Sequence, residues 1–409
     1  MFLASKKIAV AVTGGIAAYK TCEVIRELKK AGAEVRVTMT ESAKHFVTDL
    51  TFASLSEHPV VSSLFEENEL AGIAHIDLAR WCDVLLVCPA TANVIGRVAN
   101  GLADDIVSTT IMATKARVVF CPAMNSVMWE NAIVQANVDR LRKSSYEFVE
   151  PEWGALATSS EGKGWGRLAS TARIMQKMKQ VLLGSSELQG HKVLVTAGAT
   201  REPLDPVRFL TNYSSGKMGF ALAEAAKLRG ADVVLIAGSN HLQPLEGVKY
   251  LEVTTVDEMK NAIFREYKNT DVLLMAAAVS DYRPKQRAHR KIKKGEAEQT
   301  LALEKTVDIL AELGKEKGNC VHVGFALETD NGLNNATQKL HTKNLDLIVL
   351  NDPLEPGAGF VGDTNVVTFL SADGAIEKLP QLPKFTIANL ILERVIKFKQ
   401  LKNKQAAAV

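Results

Sequence analysis

Apolar and polar positions at the start of the chain follow two different periods. Residues 8–12 form a short apolar run, which predicts a buried strand, and the run stops at Thr13-Gly14-Gly15. Apolar positions at helical spacing follow over residues 16–31, and residues 34–39 return to a strand pattern after Gly32. Strand, helix and strand in this order form a βαβ unit, whose right-handed crossover makes the two strands parallel.

The same order of elements recurs in the second half of the chain. Residues 192–196 predict a strand, 216–229 a helix and 232–236 a strand, and KLRGADVVLIA repeats the earlier joint KKAGAEVRVTM. We therefore predict an α/β fold of two consecutive doubly wound, Rossmann-like domains with mainly parallel sheets. The expected limits are a first domain over 1–182, a linker over 183–190, a second domain over 191–400 and a flexible tail over 401–409.

Composition narrows the class of protein. The 409 residues are 47% apolar and 23% charged, which is typical of globular domains. A net charge of +3 favours neither a nucleic-acid nor a membrane partner, and no apolar run approaches the roughly 18 residues that a bilayer span requires. The five scattered cysteines show no CxxC spacing, which argues against a disulfide framework and a zinc site. We expect a cytoplasmic protein.

Chemistry in this fold class lies in crevices at the carboxyl ends of the strands. In the first half, Thr13-Gly14-Gly15 precedes a predicted helix, so its backbone N–H groups favour a phosphate, although a tight turn explains the glycines equally well. The stretch is not GxGxxG, which disfavours a nicotinamide dehydrogenase, and no Walker motif is present. Thr40, Glu41 and Ser42 follow the second strand. A flavin mononucleotide fits this crevice better than a dinucleotide.

Two further residues of the first half stand near predicted strand ends. His75 lies in AGIAHIDLARW, ahead of a strand, where a structural histidine is the more common finding. Asn125 follows a strand in CPAMN, where its amide can bond a carboxylate or an amide. Pro89-Ala90-Thr91-Ala92-Asn93 occupies the corresponding place one strand earlier.

The second half carries an anion-binding pattern. Its first strand is followed by TAGATREPLDPVRFLTNYSSGKMG, a glycine-punctuated loop rich in hydrogen-bond donors. Seven of the twelve residues 283–294 are Lys or Arg, and they follow Asp281 at another strand end. Cations beside a carboxylate suit a polyphosphate with its Mg²⁺. The donors in the first of these loops are Arg201, Arg208, Asn212, Ser214, Ser215 and Lys217.

From about residue 5 to residue 395 the chain resembles the bifunctional coenzyme A enzymes, in which a phosphopantothenoylcysteine decarboxylase is fused to a phosphopantothenate–cysteine ligase. VTGGIAAYK, HIDLARW, PATANVIGRVANGLADD and CPAMN resemble the flavin-containing decarboxylase half. TREPLDPVRFLTNYSSGKMG, AAAVSDYRP, KIKK, GFALET and KNLDLIVLND resemble the ligase half. The resemblance also implies a homo-oligomer, built on a decarboxylase trimer with dimerised ligase halves.

For the ligase half, the resemblance implies that CTP activates the carboxylate of 4′-phosphopantothenate as an acyl-cytidylate, from which the amine of cysteine displaces CMP. Lys291 matches the catalytic lysine of the activation step, and Arg208 and the catalytic Asn212 match positions that handle phosphopantothenate and its activated form. Asp281 is expected to bind Mg²⁺ or CTP. The other nucleotide-binding positions are Ala276, Ala277, Ala278, Val307, Asp308, Ile309, Leu310, Phe325, Lys339 and Lys343. The stretch Thr306-Val307-Asp308-Ile309 stands where the family has Asn-Pro-Asp-Ile, which is a departure from its pattern.

For the decarboxylase half, the resemblance implies FMN as cofactor and 4′-phosphopantetheine as product. His75 matches the catalytic histidine, and Asn125 matches the catalytic contact to the substrate carboxylate. The positions expected around FMN or the substrate are Gly15, Thr40, Ser42, Thr91 and Asn93.

One departure concerns the lid loop of the decarboxylase half. The family carries a cysteine there that protonates the enethiolate, whereas this chain reads GALATSSEGKGWGR, with Thr158 or Ser160 in its place depending on the alignment. A hydroxyl is a far weaker acid than a thiol. Another group or water therefore supplies the proton, or this half has lost turnover. A flavin-binding regulatory protein is the remaining alternative, which the ligase residues disfavour.

Overall fold

The computed structural model describes residues 3–65, 74–157, 162–293, 300–352, 355 and 362–406, with side chains as far as residue 402. The chain divides into two compact units, a first unit that ends at Gly184 and a second unit that begins at Ser185. Each unit has a mainly parallel sheet between helices. The predicted fold class, two consecutive doubly wound α/β domains, is confirmed.

The first unit contains a parallel sheet and a separate hairpin. Its strands are β1 (Lys7–Val12), β2 (Glu34–Met39), β3 (Val84–Ala90), β4 (Arg117–Pro122), β5 (Glu147–Phe148), β6 (Glu152–Ala155) and β7 (Lys163–Arg167). Its helices are α1 (Thr21–Lys30), α2 (Glu41–Lys44), α3 (Asp49–Ser56), α4 (Ala74–Trp81), α5 (Ala92–Ala99), α6 (Ile106–Ala113), α7 (Ser126–Glu130), α8 (Ala132–Lys143) and α9 (Thr171–Leu183), with a 3₁₀ turn at Ile16–Lys20.

The sheet order β2-β1-β3-β4-β5 determines where the first crevice forms. All four neighbouring pairs are parallel, and the chain leaves β1 first toward β2 and later returns on the other side as β3. Loops after β1 and β3 diverge at this switch point, which opens a crevice at the carboxyl ends. Side chains of β1 alternate between two cores: Ile8, Val10 and Val12 face one, and Ala9 and Ala11 face the other.

The second unit repeats this plan on a larger scale. Its strands are β8 (Lys192–Ala197), β9 (Arg201–Pro203), β10 (Phe209–Thr211), β11 (Asp232–Ala237), β12 (Lys249–Glu252), β13 (Val272–Met275), β14 (Tyr282–Pro284), β15 (Leu303–Lys305), β16 (Val321–Leu327), β17 (Leu347–Asn351), β18 (Thr364–Asn365), β19 (Val367–Ser371), β20 (Ile376–Lys378) and β21 (Leu382–Pro383). Its helices are α10 (Lys217–Leu228), α11 (Val256–Tyr267), α12 (Ile309–Lys315), α13 (Gly332–Thr342) and α14 (Lys384–Ala406).

The main sheet of the second unit has the order β12-β11-β8-β13-β16-β17-β19-β20. The pairs are parallel as far as β17, and the two remaining pairs are antiparallel. The switch point lies between β8 and β13, at the place that corresponds to β1 and β3. Val193 and Val195 of β8 pack in one core with α10 and α14, and Leu194 packs in the other.

An aspartate precedes a central strand at three places and sets the register of its neighbour. The Asp83 carboxylate accepts from the backbone N–H of Lys7 (2.8 Å), that of Asp271 from Lys192 (3.0 Å), and that of Asp346 from His322 (2.7 Å). Each aspartate also donates its own N–H to the carbonyl of the same neighbour at 2.8–2.9 Å. The same arrangement therefore occurs in CDVLLV, TDVLLM and LDLIVL: the aspartate forms two hydrogen bonds to the neighbouring strand at the amino end of the pair.

The C-terminal helix α14 packs along the second unit and bonds to this amino edge. Lys399 contacts the Asp271 carboxylate (2.7 Å), and Lys402 contacts Asp346 (3.1 Å) and the Cys320 carbonyl (2.9 Å). The helix continues to residue 406 and so covers most of the segment 401–409 that the sequence suggests is a flexible tail. The ion pairs of Lys399 and Lys402 bind the end of the helix to the second unit and so stabilise it there.

Both units extend into the segment predicted as a linker, residues 183–190. Leu183 ends α9, and the N–H of Ser185 already bonds to the Leu228 carbonyl at 2.9 Å. Leu188 is buried in a core of the second unit. None of the helices in the part of the chain that the structure describes is long and apolar enough to cross a membrane.

We predict that Asp271→Asn lowers the free energy of unfolding of the second unit by about 1 kcal/mol at pH 7, because it removes the charge that Lys399 binds. Burial opposes ionisation of Asp271, but the hydrogen bonds and charges of Lys399, Lys192 and His191 outweigh it and lower its pKa. The stabilisation is therefore complete above the unfolded-state pKa near 4 and is lost as the pH falls through the lower folded-state value.

Urea denaturation at pH 7 and at pH 3 measures this difference. The gap between Asp271→Asn and the unaltered protein should narrow at the lower pH. Asp232→Asn is the matched control, since Asp232 also starts a strand but is exposed. Equal stability of all three proteins at pH 7 would contradict the assigned role of Asp271.

Candidate functional site

The switch point of the first unit holds a cavity of about 470 Å³, within the range of small-molecule sites. Loops after β1, β2 and β3 form its walls. Four of the five residues predicted around the cofactor line it: Thr40, Ser42, Thr91 and Asn93. The fifth, Gly15, stands beside the lining residue Gly14, and a Cβ on it would lie in ordinary contact with Thr91, 3.5 Å from Cγ2.

Threonine hydroxyls bind these loops to one another. Buried Thr13 donates its hydroxyl to the Pro89 carbonyl (2.7 Å) and accepts from the Thr91 N–H (3.1 Å). Thr91 caps α5 by accepting from the Val94 N–H, so the amino end of α5 faces the cavity. A helix amino end offers unpaired N–H donors and a partial positive charge, which suits a phosphate group.

Gly14 allows the first two loops to touch. A Cβ on this residue would lie 2.5 Å from the Ser42 Cβ, a distance that real side chains do not adopt. The close approach of the Ser42 loop therefore requires glycine at position 14, for which a tight turn was the alternative explanation. This cradle, the hydroxyl groups and the cavity volume fit a flavin mononucleotide.

Sequence reasoning missed one group of residues in this cavity. Arg97 of α5 lines it and binds two further lining residues, Asp104 (2.7 Å) and Asp105 (2.9 Å). All three lie inside PATANVIGRVANGLADD, but the spacing alone does not indicate that the turn after α5 brings the acids back to Arg97.

His75 and Asn125 are outside the residues that line this cavity. His75 lies in the first turn of α4, and its buried Nδ1 has no hydrogen-bond partner in the described part of the chain. Asn125 caps α7, with its side-chain oxygen accepting from the Val127 N–H at 2.9 Å. The first unit alone therefore does not unite these two residues with the cofactor cavity.

The hairpin of β6 and β7 packs directly on the Asn125 segment. The Met124 N–H bonds to the Gly166 carbonyl at 2.9 Å. Gly166 has φ +133°, and a Cβ there would overlap the Met124 carbonyl oxygen, while a Cβ on Gly164 would lie 2.7 Å from that of Ser126. The glycines of GKGWGR thus permit this contact. Thr158 and Ser160, the positions expected to replace the lid cysteine, lie outside the described residues.

The second unit has a cavity of about 280 Å³ at the carboxyl ends of β8 and β11. It is lined by five of the predicted anion-binding residues, which the fold brings together: Arg201, Asn212, Ser214, Ser215 and Lys217. Asn240 and His241 from the loop after β11 complete the wall, and sequence reasoning missed them because they come from a different strand.

Glycines let the strand-end loops around this cavity meet. Gly198 and Gly216 have φ values of +75° and +78°, which favour glycine, and Gly216 caps α10. A Cβ on Gly238 would clash with the backbone of Ala199. The amino end of the twelve-residue helix α10 therefore opens beside Ser214 and Ser215, where it favours an anion.

Several predicted nucleotide contacts lie around the loop after β13. The Asn212 amide donates to the Ala278 carbonyl (3.2 Å), and the Ala277 N–H donates to the Thr196 hydroxyl (3.1 Å). The N–H of Thr306 bonds to the Asp281 carbonyl (2.9 Å), so the stretch 306–309, which departs from the family pattern, begins beside Asp281.

The remaining predicted residues flank this loop. Asp308 caps α12 and binds Lys343 (2.9 Å), and Lys339 binds Glu328 (2.5 Å). Burial opposes ionisation of Glu328, but hydrogen bonds from Lys339 and Asn335 lower its pKa. Ala276 lies next to Ala277, and Ile309 and Leu310 begin α12. Val307 precedes Asp308, and Phe325 lies in β16.

Arg208 is held away from the cavity lining. Its guanidinium binds the buried Asp205 carboxylate and the Ile292 carbonyl. Asp281 and Lys291 are exposed. In the described residues no group of three or more His, Cys, Asp or Glu side chains is placed to hold a metal ion. Asp281 fits Mg²⁺ as a single carboxylate that shares the ion with phosphate oxygens.

A lysine that the sequence reasoning overlooked lies beside this site. Burial and the charge of Lys217 lower the pKa of Lys384 to about 8, and Asp363 partly offsets them. Lys217 in turn binds Asp363 at 2.6 Å. Lys217 lines the cavity, and its charge together with that of Lys384 creates a positive potential for an anion, which Asp363 partly offsets.

The protein is therefore a two-domain nucleotide-binding α/β protein. One of its doubly wound units has a hydroxyl-lined cradle that fits a mononucleotide, and the other has a cationic crevice. Comparison with known families identifies the class of each unit. Residues 3–183 match the family described as Flavoprotein, and residues 188–398 match the DNA/pantothenate metabolism flavoprotein C-terminal domain.

Two curated relatives extend over the whole chain. Coenzyme A biosynthesis bifunctional protein CoaBC of Bacillus subtilis (strain 168) is 44% identical over 396 residues, which are 96% of this chain and 97% of the relative. The protein of that name from Escherichia coli (strain K12) is 40% identical over 409 residues, 99% of this chain and 100% of the relative. The chain belongs to the family of bifunctional coenzyme A biosynthesis proteins.

A solved structure covers the second half. The crystal structure of the C-terminal domain of Coenzyme A biosynthesis bifunctional protein CoaBC is 42% identical, with a TM-score of 0.46, and covers 53% of this chain and 99% of that chain.

We predict that Gly166→Ala lowers the free energy of unfolding of the first unit by about 2 kcal/mol, because alanine disfavours a positive φ and its Cβ meets the Met124 carbonyl. Thermal denaturation measures the change. Gly154→Ala in the same hairpin is the control, since its Cβ would meet only the movable Arg167 side chain, at 3.3 Å. Equal losses for the two variants would show that the hairpin does not pack on the Asn125 segment as described.

Proposed function

We propose that the chain catalyses two successive steps of coenzyme A biosynthesis. The second unit ligates 4′-phosphopantothenate to cysteine with CTP and Mg²⁺, and the first unit decarboxylates the product to 4′-phosphopantetheine with FMN. One observation carries the assignment: identity of 40–44% runs through both halves, over 96–99% of the chain. It favours the bifunctional enzyme over a flavin-binding regulatory protein.

The ligase chemistry explains the need for a nucleotide. A carboxylate reacts poorly with an amine because its oxygen is a poor leaving group. Attack of the phosphopantothenate carboxylate on the α-phosphorus of CTP releases pyrophosphate and forms an acyl-cytidylate. The amine of cysteine then attacks the acyl carbon, loses a proton, and CMP departs as the amide forms.

The cationic crevice supplies what the activation step requires. Negative charge accumulates on the phosphoryl oxygens as pyrophosphate leaves, and a nearby ammonium group stabilises that charge. Lys291 takes this role. Asn212 faces the cavity and anchors the Ala278 carbonyl, so its amide can orient the substrate at the loop after β13.

The other nucleotide contacts surround the same loop. Asp281 would hold Mg²⁺, whose charge would offset that of the phosphate groups. Lys339 and Lys343 place positive charge beside β16 and α12. Arg208 contributes to phosphopantothenate binding through the part of its side chain that is exposed, 47% of the total. The contacts to CTP are completed by Ala276, Ala277, Ala278, Val307, Asp308, Ile309, Leu310 and Phe325.

The first unit supports the flavin-dependent step. When bound, FMN supplies reversible two-electron oxidation and reduction next to the substrate. Thr40, Ser42, Thr91, Asn93 and Gly15 form its cradle. His75 acts as base or orienting group, and Asn125 binds the substrate carboxylate through its amide.

The lid position lacks the family's thiol, which leaves two candidates in the chain, Thr158 and Ser160. A hydroxyl donates a proton far less readily than a thiol at neutral pH. We propose that Thr158 takes the role of the cysteine, either by ordering the water that donates the proton or by donating the proton itself.

We also infer a cytoplasmic homo-oligomer. All five cysteines are free, which favours a reducing compartment. Ile16 and Tyr19, beside the FMN cradle, are 57% and 58% exposed, more than a large apolar side chain usually is. A second copy of the chain is the natural partner for such a surface, and the position of His75 outside the cavity lining agrees with a site completed between subunits.

We predict that Lys291→Ala slows CTP-dependent pyrophosphate release by about 100-fold, because the phosphoryl charge loses its ammonium partner. A coupled pyrophosphate assay with phosphopantothenate, Mg²⁺ and CTP measures the rate. Lys285→Ala, an exposed lysine of the same basic segment, is the control and should change it little. Flavin absorbance should be the same in all three proteins. An unchanged rate in Lys291→Ala would remove Lys291 from the mechanism.

We predict that the protein converts phosphopantothenate, cysteine and CTP into phosphopantetheine without the lid cysteine. Mass spectrometry of the products separates the possibilities. Accumulated phosphopantothenoylcysteine would mean an inactive first unit, and a product two mass units lighter than phosphopantetheine would mean that reduction stalls for lack of a proton. Thr158→Cys should raise the turnover of the second step if Thr158 occupies the position of the donor.

A further inference from the structure

The segment that carries Lys291 has no regular secondary structure, yet it is anchored on both sides of that residue. The Ala288 N–H bonds to the Leu204 carbonyl at 2.9 Å. The Ile292 N–H bonds to a carboxylate oxygen of Asp205 at 3.1 Å, and the Ile292 carbonyl accepts from Arg208 at 2.8 Å. Lys291 therefore lies between two fixed points, and both polar backbone groups of the next residue are engaged.

Asp205 is the centre of this arrangement. It is 2% exposed, and its carboxylate accepts five hydrogen bonds. One oxygen accepts from the N–H groups of Val207 and Arg208, and the other accepts from two guanidinium nitrogens of Arg208 and from Ile292. A buried carboxylate is tolerated only when it is paired and bonded in this way.

The anionic state of Asp205 is strongly favoured. Burial opposes ionisation, but the hydrogen bonds from Arg208 and from the backbone N–H groups outweigh it and hold the pKa of Asp205 far below its usual range. The carboxylate is therefore charged at neutral pH, where it accepts the N–H of Ile292.

A basic segment needs such an anchor. Arg287, Arg290, Lys291 and Lys293 are all exposed, and like charges at this spacing repel one another and favour an extended, variable chain. Catalysis by Lys291 requires its ammonium group to be near the phosphoryl oxygens before the reaction begins, since displacement by about 1 Å can cost orders of magnitude in rate. Hydrogen bonds on both sides of Lys291 oppose the repulsion.

We infer that Asp205 is a positioning residue for Lys291: its buried carboxylate, together with Arg208, fixes the backbone at Ile292 and so places the lysine for the activation step. Asp205 itself touches no substrate. The inference rests on the proposed ligase function, and it adds a residue to which no role has been assigned above.

Asp205→Asn tests this inference. The asparagine has nearly the same shape but carries no charge, and its NH₂ group faces N–H donors in either orientation, so it cannot accept all five hydrogen bonds. We expect the kcat for pyrophosphate release to fall at least about tenfold and the KM for CTP to rise, with the KM for cysteine unchanged. Partial unfolding alone would lower the apparent rate without changing either KM. Asp373→Asn, an exposed turn aspartate that accepts one N–H bond, is the matched control.

A double variant separates positioning from general structural damage. If Asp205 acts through Lys291, Asp205→Asn adds little to the loss already caused by Lys291→Ala. A structural defect unrelated to Lys291 would add its full factor. Additive losses in the double variant would overturn the inference, and so would a single variant with unchanged kcat.

Two measurements on the backbone make the test independent of activity. Trypsin cleavage after Arg290 and Lys291 should accelerate about tenfold in Asp205→Asn and not in the control. In the unaltered protein the Ile292 amide should be protected from hydrogen exchange; exchange at the rate of a free loop would overturn the inference. If Asp205→Asn fails to unfold cooperatively, Ile292→Pro is the second test, since it removes the N–H that Asp205 accepts and leaves the carboxylate in place. An undiminished kcat in that variant would also overturn the inference.

These results also distinguish the inference from the proposed function. Absence of CTP-dependent pyrophosphate release in the unaltered protein would reject the ligase assignment itself. Normal release in the unaltered protein, with no effect of Asp205→Asn, would reject only the role of Asp205.

Discussion

Both candidate sites depend on parallel strands that end at the same edge of their sheet. In each unit the chain leaves a central strand in one direction and returns on its other side. The loops after β1, β2 and β3 form the cavity walls in the first unit, and the loops after β8 and β11 form them in the second. The opposite edge stabilises this register. Asp83, Asp271 and Asp346 each bind a backbone N–H at the start of the neighbouring strand. A shift of register would misplace every strand-end loop at once.

Both crevices also depend on strand-end loops whose backbones pack closely against one another. Gly14 lets two loops meet beside the first cavity, and Gly198 and Gly238 do the same beside the second. These positions require glycine because a Cβ would meet a neighbouring loop or a positive φ would strain it. Loop backbone and hydroxyl groups therefore line both cavities, together with the side chains of Arg97, Arg201 and Lys217.

The charged groups of the second unit are organised in pairs. Lys217 binds Asp363, Lys343 binds Asp308 and Lys339 binds Glu328. Each carboxylate limits the motion of a cation that a triphosphate would otherwise have to order at an entropic cost. The buried pair of Asp205 and Arg208 extends this principle to the backbone of the segment that carries Lys291.

Hydrophobic periodicity in the sequence was sufficient to determine the two α/β units, the parallel direction of their strands and the loops that carry chemistry, because these follow from local patterns and from the right-handed crossover. The family resemblance supplied the candidate residues, and Thr40, Ser42, Thr91, Asn93 and Asn212 indeed line the two cavities.

Only the tertiary structure decided which residues meet across distant segments. Arg97 with Asp104 and Asp105, Lys384 beside Lys217, and Asp205 with Ile292 involve contacts between loops that no local period encodes. The sequence placed Arg208 among substrate contacts, whereas the fold binds much of its guanidinium to a buried carboxylate. Burial is the physical reason. A charge that is removed from water needs an oppositely charged or hydrogen-bonding partner inside the protein, and that partner can come from any part of the chain.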